Sequence, residues 1–177
     1  LGASYNVGIG VSSGGIAAMY LGTECNFDHV IAFGPMQGHK AYTNLKFRIY
    51  ALLNIKLLLR EPMAYVEQLV LSIVTGIFIK GMRHRVGEQY VEGVFDLFAA
   101  TAKRPRTSII YGRHNHPDVH HAGVFAQFPE VDTTALETGR HRSPIWLKKR
   151  GRLDEFMKME LRDAFKHLET ASPAPRE

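Results

Sequence analysis

A single cysteine, Cys25, stands in 177 residues, which rules out an internal disulfide. With no basic or activating residue beside it in the sequence, the expected role of this thiol is a small buried hydrophobe. Long apolar runs are also missing. The longest, Leu69 to Ile79, is broken by Ser72, Thr75 and Gly76 and falls short of the ~18 residues a membrane span requires. No basic n-region with an apolar stretch and a small-residue cleavage site is present, so no signal peptide is read and a cytoplasmic location is expected. Excess charge of one sign is modest. The 22 Lys and Arg against 17 Asp and Glu give +5, spread over several segments, and nucleic acid is not implied as a partner. Repeats and low-complexity tracts are absent. What remains is 45% apolar and 22% charged, the make-up of a globular chain long enough for one domain and short for two.

Val7, Ile9 and Val11 predict a short strand over 6–11 that runs at once into small residues, Ser13 to Tyr20, suited to a helix with Gly22 as its stop. His29 to Phe33 (HVIAF) predicts a second, buried strand closed by Gly34-Pro35. From Ala41 to about Ala102, Phe47, Tyr50 or Ala51, Asn54, and Leu57 or Leu58 recur at helical spacing, as do Tyr90, Val94 and Leu97, with Pro62 restarting the chain. Thr107 to Tyr111 (TSIIY) predicts a third strand, Asp118 to Gln127 a helix, and Val131 to Leu136 a fourth strand. Ser143-Pro144 is an N-cap and N1 pair opening a helix that reaches Gly151, and a last amphipathic helix follows from Leu153. Strands alternating with helices predict an α/β fold: a mostly parallel sheet flanked by helices, one domain over 1–170, a helical insertion at 41–106 and a flexible tail at 171–177.

Gly10-Val11-Ser12-Ser13-Gly14 has the G-x-S-x-G spacing at the end of a strand and the start of a helix. A serine in so tight a turn projects its hydroxyl from strained backbone, and glycines two residues to either side let the neighbouring chain approach. Ser12 is in register; for Ser13, Val11 would fill the preceding glycine position. A dinucleotide fingerprint fails on spacing, since Ser13 stands where G-x-G-x-x-G needs its last glycine, and no Gly-Lys-Ser/Thr follows to make a P-loop. A plain structural turn remains the competing reading.

A serine nucleophile needs a general base, and the base needs an orienting acceptor, in the chain order Ser, acid, His. Asp118 lies just past the TSIIYG strand, where it is equally suited to cap the following helix. His141 sits in a turn after the fourth strand and before Ser143-Pro144, which makes it the candidate base. The segment GVSSGGIAAMYLG from Gly10, with HVIAF-GPM, YGRHNHPDVHHA and TGRH, resembles the α/β-hydrolase superfamily over about 7–35 and 107–168. The resemblance implies Ser12 as nucleophile, Asp118 as orienting acid, His141 as base and the Ser13 backbone N–H as an oxyanion donor, with Gly10 and Gly14 as elbow glycines. It also implies that residues 41–106 form a helical cap, and that the early strands and the loop carrying a second oxyanion donor are missing upstream of Leu1. A looser likeness of DVHHA, GRH and the WLKKRGRLDEF helix is to hydrolase-like regions of bacterial surface-polysaccharide or glycosyltransferase systems. The expected function is a serine hydrolase or acyltransferase acting on a small-molecule or glycan ester without a cofactor. The alternative is a non-catalytic binding or scaffold module of the same shape.

His114, His116, His120 and His121 crowd around Asp118, and H-x-H with a carboxylate is a competing metal-site reading; no metal is expected. Lys40, Lys46, Arg48, Lys56 and Arg60 interleave with apolar residues, and no Asp or Glu lies between His29 and Arg60. A cap helix with a solvated basic face is the expectation, and contact with an anionic membrane surface is the less favoured one.

Overall fold

The computed structural model describes residues 5–35, 49, 52–86 and 89–171. The first part of the 41–106 insertion and residues 172–177 of the tail lie outside the described residues. By chain contacts the protein divides into two compact units, Leu1–Ser143 and Pro144–Glu177.

The first unit is built on four strands, β1 (Val7–Val11), β2 (His29–Phe33), β3 (Arg106–Gly112) and β4 (Val131–Leu136), in the order β1-β2-β3-β4 and all parallel. Helix α1 (Ser13–Glu24) links β1 to β2, and α2 (Ile55–Arg60), α3 (Pro62–Val86) and α4 (Gln89–Ala100) lie between β2 and β3. Helix α5 (His116–Phe125) links β3 to β4. Parallel strands need such crossovers, and central ones are buried on both faces and read as continuous apolar runs. All five residues of HVIAF are buried. One core gathers Ala18 and Met19 of α1, Val30 and Ala32 of β2, Phe98 of α4, Ile109 of β3, and Ala122 and Phe125 of α5. Phe95, Phe98, Phe125 and Phe128 close it with ring centroids 5.2–5.9 Å apart in tilted and edge contacts. The predicted α/β architecture is therefore the observed one.

Several boundaries differ from the sequence reading, each for a local reason. Helix α1 passes through Gly22, because that glycine serves packing: a Cβ there would lie 2.5 Å from Val30 Cγ2. The stop is Asn26, left-handed at φ 52, with the Phe27 N–H donating to the Gly22 carbonyl at 2.8 Å. Cys25 caps this turn and is exposed, not buried as expected. Asn54, read as part of a helical stripe, is the N-cap of α2, its side chain accepting from the Leu57 N–H at 3.1 Å. Pro62 opens α3 as predicted.

The second unit comprises α6 (Ser143–Lys149), whose first residue belongs to the first unit, and α7 (Leu153–Ala171). Gly151, at φ 67, ends α6, and the Arg150 guanidinium sits 4.3 Å over the Trp146 ring.

Candidate active site

Ser12, Asp118 and His141 all belong to the first unit and meet at the carboxyl ends of the strands. Ser12 follows β1 directly, and its N–H donates to the Phe33 carbonyl at 2.8 Å, extending the β1–β2 pairing by one residue. The chain then reverses into α1 with Ser12 at φ 57, ψ −123, a conformation that L residues rarely hold. Gly10 makes the reversal possible. A Cβ at Gly10 would stand 2.0 Å from the Gly14 carbonyl oxygen and 2.4 Å from its carbon. Gly14 is different, since a Cβ there meets nothing within 4 Å. The close approach on the helix side falls instead at Gly15, whose Cβ would lie 3.4 Å from Pro35.

Ser12 occupies the N-cap position of α1, yet its side chain makes no capping hydrogen bond. It is hydrogen-bonded to His141, with Oγ 2.8 Å from Nε2. The first-turn N–H groups of Ser13 and Gly14 have no acceptor within the helix, and no acidic residue stands in that turn. They leave a positive helix end beside the serine.

Asp118 is nearly inaccessible, at 1% exposure. It does not cap its helix. Helix α5 starts at His116, two residues earlier than predicted, with Asn115 as N-cap accepting from the Asp118 N–H at 3.2 Å. That leaves the Asp118 carboxylate for His141, Oδ1 to Nδ1 at 2.7 Å. The Asn115 amide also donates to the Gly139 carbonyl at 3.3 Å, which ties the acid turn to the histidine loop.

Close backbone approach also fixes His141. A Cβ on Gly112 would lie 2.7 Å from the Thr138 carbonyl oxygen, and one on Gly34 would lie 3.2 Å from both Cε1 and Nδ1 of the His141 ring. Gly34 is itself at φ 49. The breaker after β2 is therefore also the floor on which the imidazole rests.

From the other side the helices hold the same loop. Glu61 accepts from the Thr138 hydroxyl at 2.8 Å and from the Gly139 N–H at 3.3 Å. Glu67 pairs with Arg140 at 3.0 Å and accepts from the Arg142 N–H at 3.3 Å. Gly139 lies against Leu57 and Ala64 so closely that a Cβ would come within 2.3 Å of Leu57 Cδ1. Sequence reasoning missed these two carboxylates. The available signal was that Glu61 and Glu67 are the only acids between Asp28 and Glu88.

Burial disfavours the imidazolium of His141, but the Asp118 charge and hydrogen bond outweigh it with help from Glu67, and its pKa is raised above the usual histidine value. Burial pushes the Asp118 carboxyl upward, while the His141 charge and hydrogen bond pull against that shift. An imidazole set between a hydroxyl and a buried carboxylate can accept the hydroxyl proton and be stabilised as a cation.

The other histidines take other partners, and His120 and His121 meet edge to face with ring centroids 5.8 Å apart. His114 lies 3.3 Å from Glu137 and 3.1 Å from Arg60. His121 is buried, which drives its pKa down to about 3 and keeps it neutral. Among the described residues no three His, Cys, Asp or Glu side chains gather so as to hold a metal ion.

No family model and no curated protein matches the chain. A search of solved structures finds likeness to the crystal structure of an α/β hydrolase from Sphaerobacter thermophilus, at 15% identity and a TM-score of 0.39, over 77% of this chain. The chain spans 61% of the length of that structure. The chemistry of the site accordingly rests on its own geometry.

Proposed function

We propose that this chain carries out acyl transfer from an ester through an acyl-Ser12 intermediate, delivering the acyl group to water or to another alcohol. The observation that carries this reading is the unbroken hydrogen-bonded series from Ser12 Oγ through His141 to Asp118, at 2.8 and 2.7 Å. His141 Nε2 takes the Ser12 proton as Oγ bonds to the ester carbonyl carbon. The Ser13 N–H, at the open end of α1, donates to the oxygen that becomes negative. Collapse breaks the bond to the leaving alcohol, which takes the proton from His141. Water or a second alcohol then repeats the sequence in reverse and frees Ser12. Asp118 keeps the Nδ1 proton in place and stabilises the imidazolium. A binding module of the same shape would have no need of a strained serine aimed at a buried imidazole–carboxylate pair. No step calls on a cofactor.

The test is to trap the intermediate. Brief exposure to an activated p-nitrophenyl ester, acid quench and peptide mass spectrometry should add one acyl group to the peptide containing Ser12. Ser12→Ala should add none there, and chelator should make no difference. A folded protein that never acylates would support the binding module instead.

A further inference from the structure

Helices α2 and α3 sort their side chains in an unusual sense. On α3 the positions facing inward include Gln68 and Ser72, at 1% and 2% exposure, one turn apart after the buried Ala64. The positions facing outward are Met63, Val66, Val70, Ile73, Val74 and Ile77, exposed by 47–68%. Their spacing of three and four residues makes one continuous stripe. Helix α2, just before it in the chain, is also apolar outward, since only Leu57 is buried there and Leu59 is 81% exposed. The basic residues of α2 are solvated as the sequence predicts, whereas the Leu69 to Ile79 run, expected as core or cap, turns Val70, Ile73, Val74 and Ile77 outward. Scattered exposed apolar residues are ordinary, but a stripe running along one helix, with further exposed leucines on the helix before it, marks a surface meant to be covered.

Charge indicates what covers it. Among the described residues of α2 and the α3 stripe, the exposed charges are Lys56 and Arg60, both positive, with Arg60 4.0 Å from the exposed Glu137 carboxylate and Lys56 outside that pair. The two carboxylates of this stretch, Glu61 and Glu67, are committed to the histidine loop. The sequence from His29 to Arg60 carries five Lys and Arg and no acid. A second copy of the chain would set the same cations against one another. Nucleic acid would meet aliphatic side chains where it needs donors and stacking rings. An apolar stripe with cations beside it fits the interface of an anionic bilayer, with the helices lying in the plane. No described helix is long and apolar enough to cross a membrane.

We infer that the outward face of α2 and α3 docks on an anionic lipid surface. Binding does not depend on the serine chemistry, so the two readings fail separately. Sedimentation with phosphatidylcholine vesicles, with and without phosphatidylglycerol, tests it on Ser12→Ala and wild-type protein alike. Both should bind the anionic vesicles at least ~10-fold more tightly than the neutral ones, and binding should weaken as salt is raised. Lys56→Glu with Arg60→Glu should lower anionic binding by about fivefold or more per residue. Leu59→Asn with Met63→Asn, both at exposed positions that leave the fold intact by circular dichroism, should abolish it. Failure to bind either vesicle, equal binding to both, variants that bind like wild type, or a dimer in solution that Leu59→Asn dissolves would overturn the inference.

Discussion

At the carboxyl ends of the strands, polar side chains are buried and linked to one another, whereas along the outward face of α2 and α3, apolar side chains stand in the open. The first region buries Asp118 and His141 to about 1% exposure; the second leaves Leu59 at 81%. Burial of an ionisable pair is costly unless its hydrogen bonds are made, so the first arrangement persists only because backbone and side chains fix it from several directions. The outward face has no such internal account, and the proposed lipid surface would supply one from outside the chain. The two regions share one seam, the loop from Thr138 to Arg142, held by Glu61 and Glu67 on one side and by Asn115 and the sheet on the other.

The largest expected effect separates the rim from everything else. Asp118→Asn should cost roughly 10⁴-fold in turnover, since the amide favours the wrong imidazole tautomer. Because Asp118 raises the His141 pKa and the base acts only when neutral, the acid limb of the kcat/KM profile should lie above 6.5 in wild type and move down in the variant. A limb that does not move would remove Asp118 from the site.

Next comes a comparison within the elbow. Gly10→Ala forces a Cβ into the Gly14 backbone and should cost about 3 kcal/mol or more in chemical denaturation. Gly14→Ala has open space and should change stability by no more than ~1 kcal/mol. Equal effects would mean that the turn is not held as described.

The smallest effect tests the seam. Glu67→Gln removes a charge that favours the imidazolium, so the same acid limb should shift down, by less than in Asp118→Asn, with a smaller loss in kcat/KM. Thermal stability should change little, because the Arg140 pair is partly exposed and the glutamine amide oxygen can still accept from the Arg142 N–H. A change in stability with no shift of the limb would make Glu67 a merely structural contact.

How far the sequence discloses this molecule follows the same division. Parallel buried strands such as HVIAF leave a composition that few other structures use, and G-x-S-x-G between strand and helix leaves a spacing set by backbone collision at Gly10. Order along the chain then leads to Asp118 and His141. Two things stay hidden. Gly34, Gly112 and Gly139 look like ordinary breakers, and only the packed structure reveals that each leaves room for the histidine loop or its ring. The direction of α3 is hidden as well, since an apolar run predicts burial equally well whether the covering partner is the chain itself or something beyond it.

The central claim is that Ser12 is made nucleophilic by His141, whose other ring nitrogen is held by the buried Asp118 carboxylate. The most direct measurement is the rate at which a fluorophosphonate probe modifies the folded protein as pH is varied, with His141→Gln and Ser12→Ala alongside. Modification should fall on Ser12 alone, slow as pH drops through the raised His141 pKa, and be lost or reduced by orders of magnitude in both variants. Folded wild-type protein that resists the probe, or that reacts at the same rate without the imidazole, would contradict it.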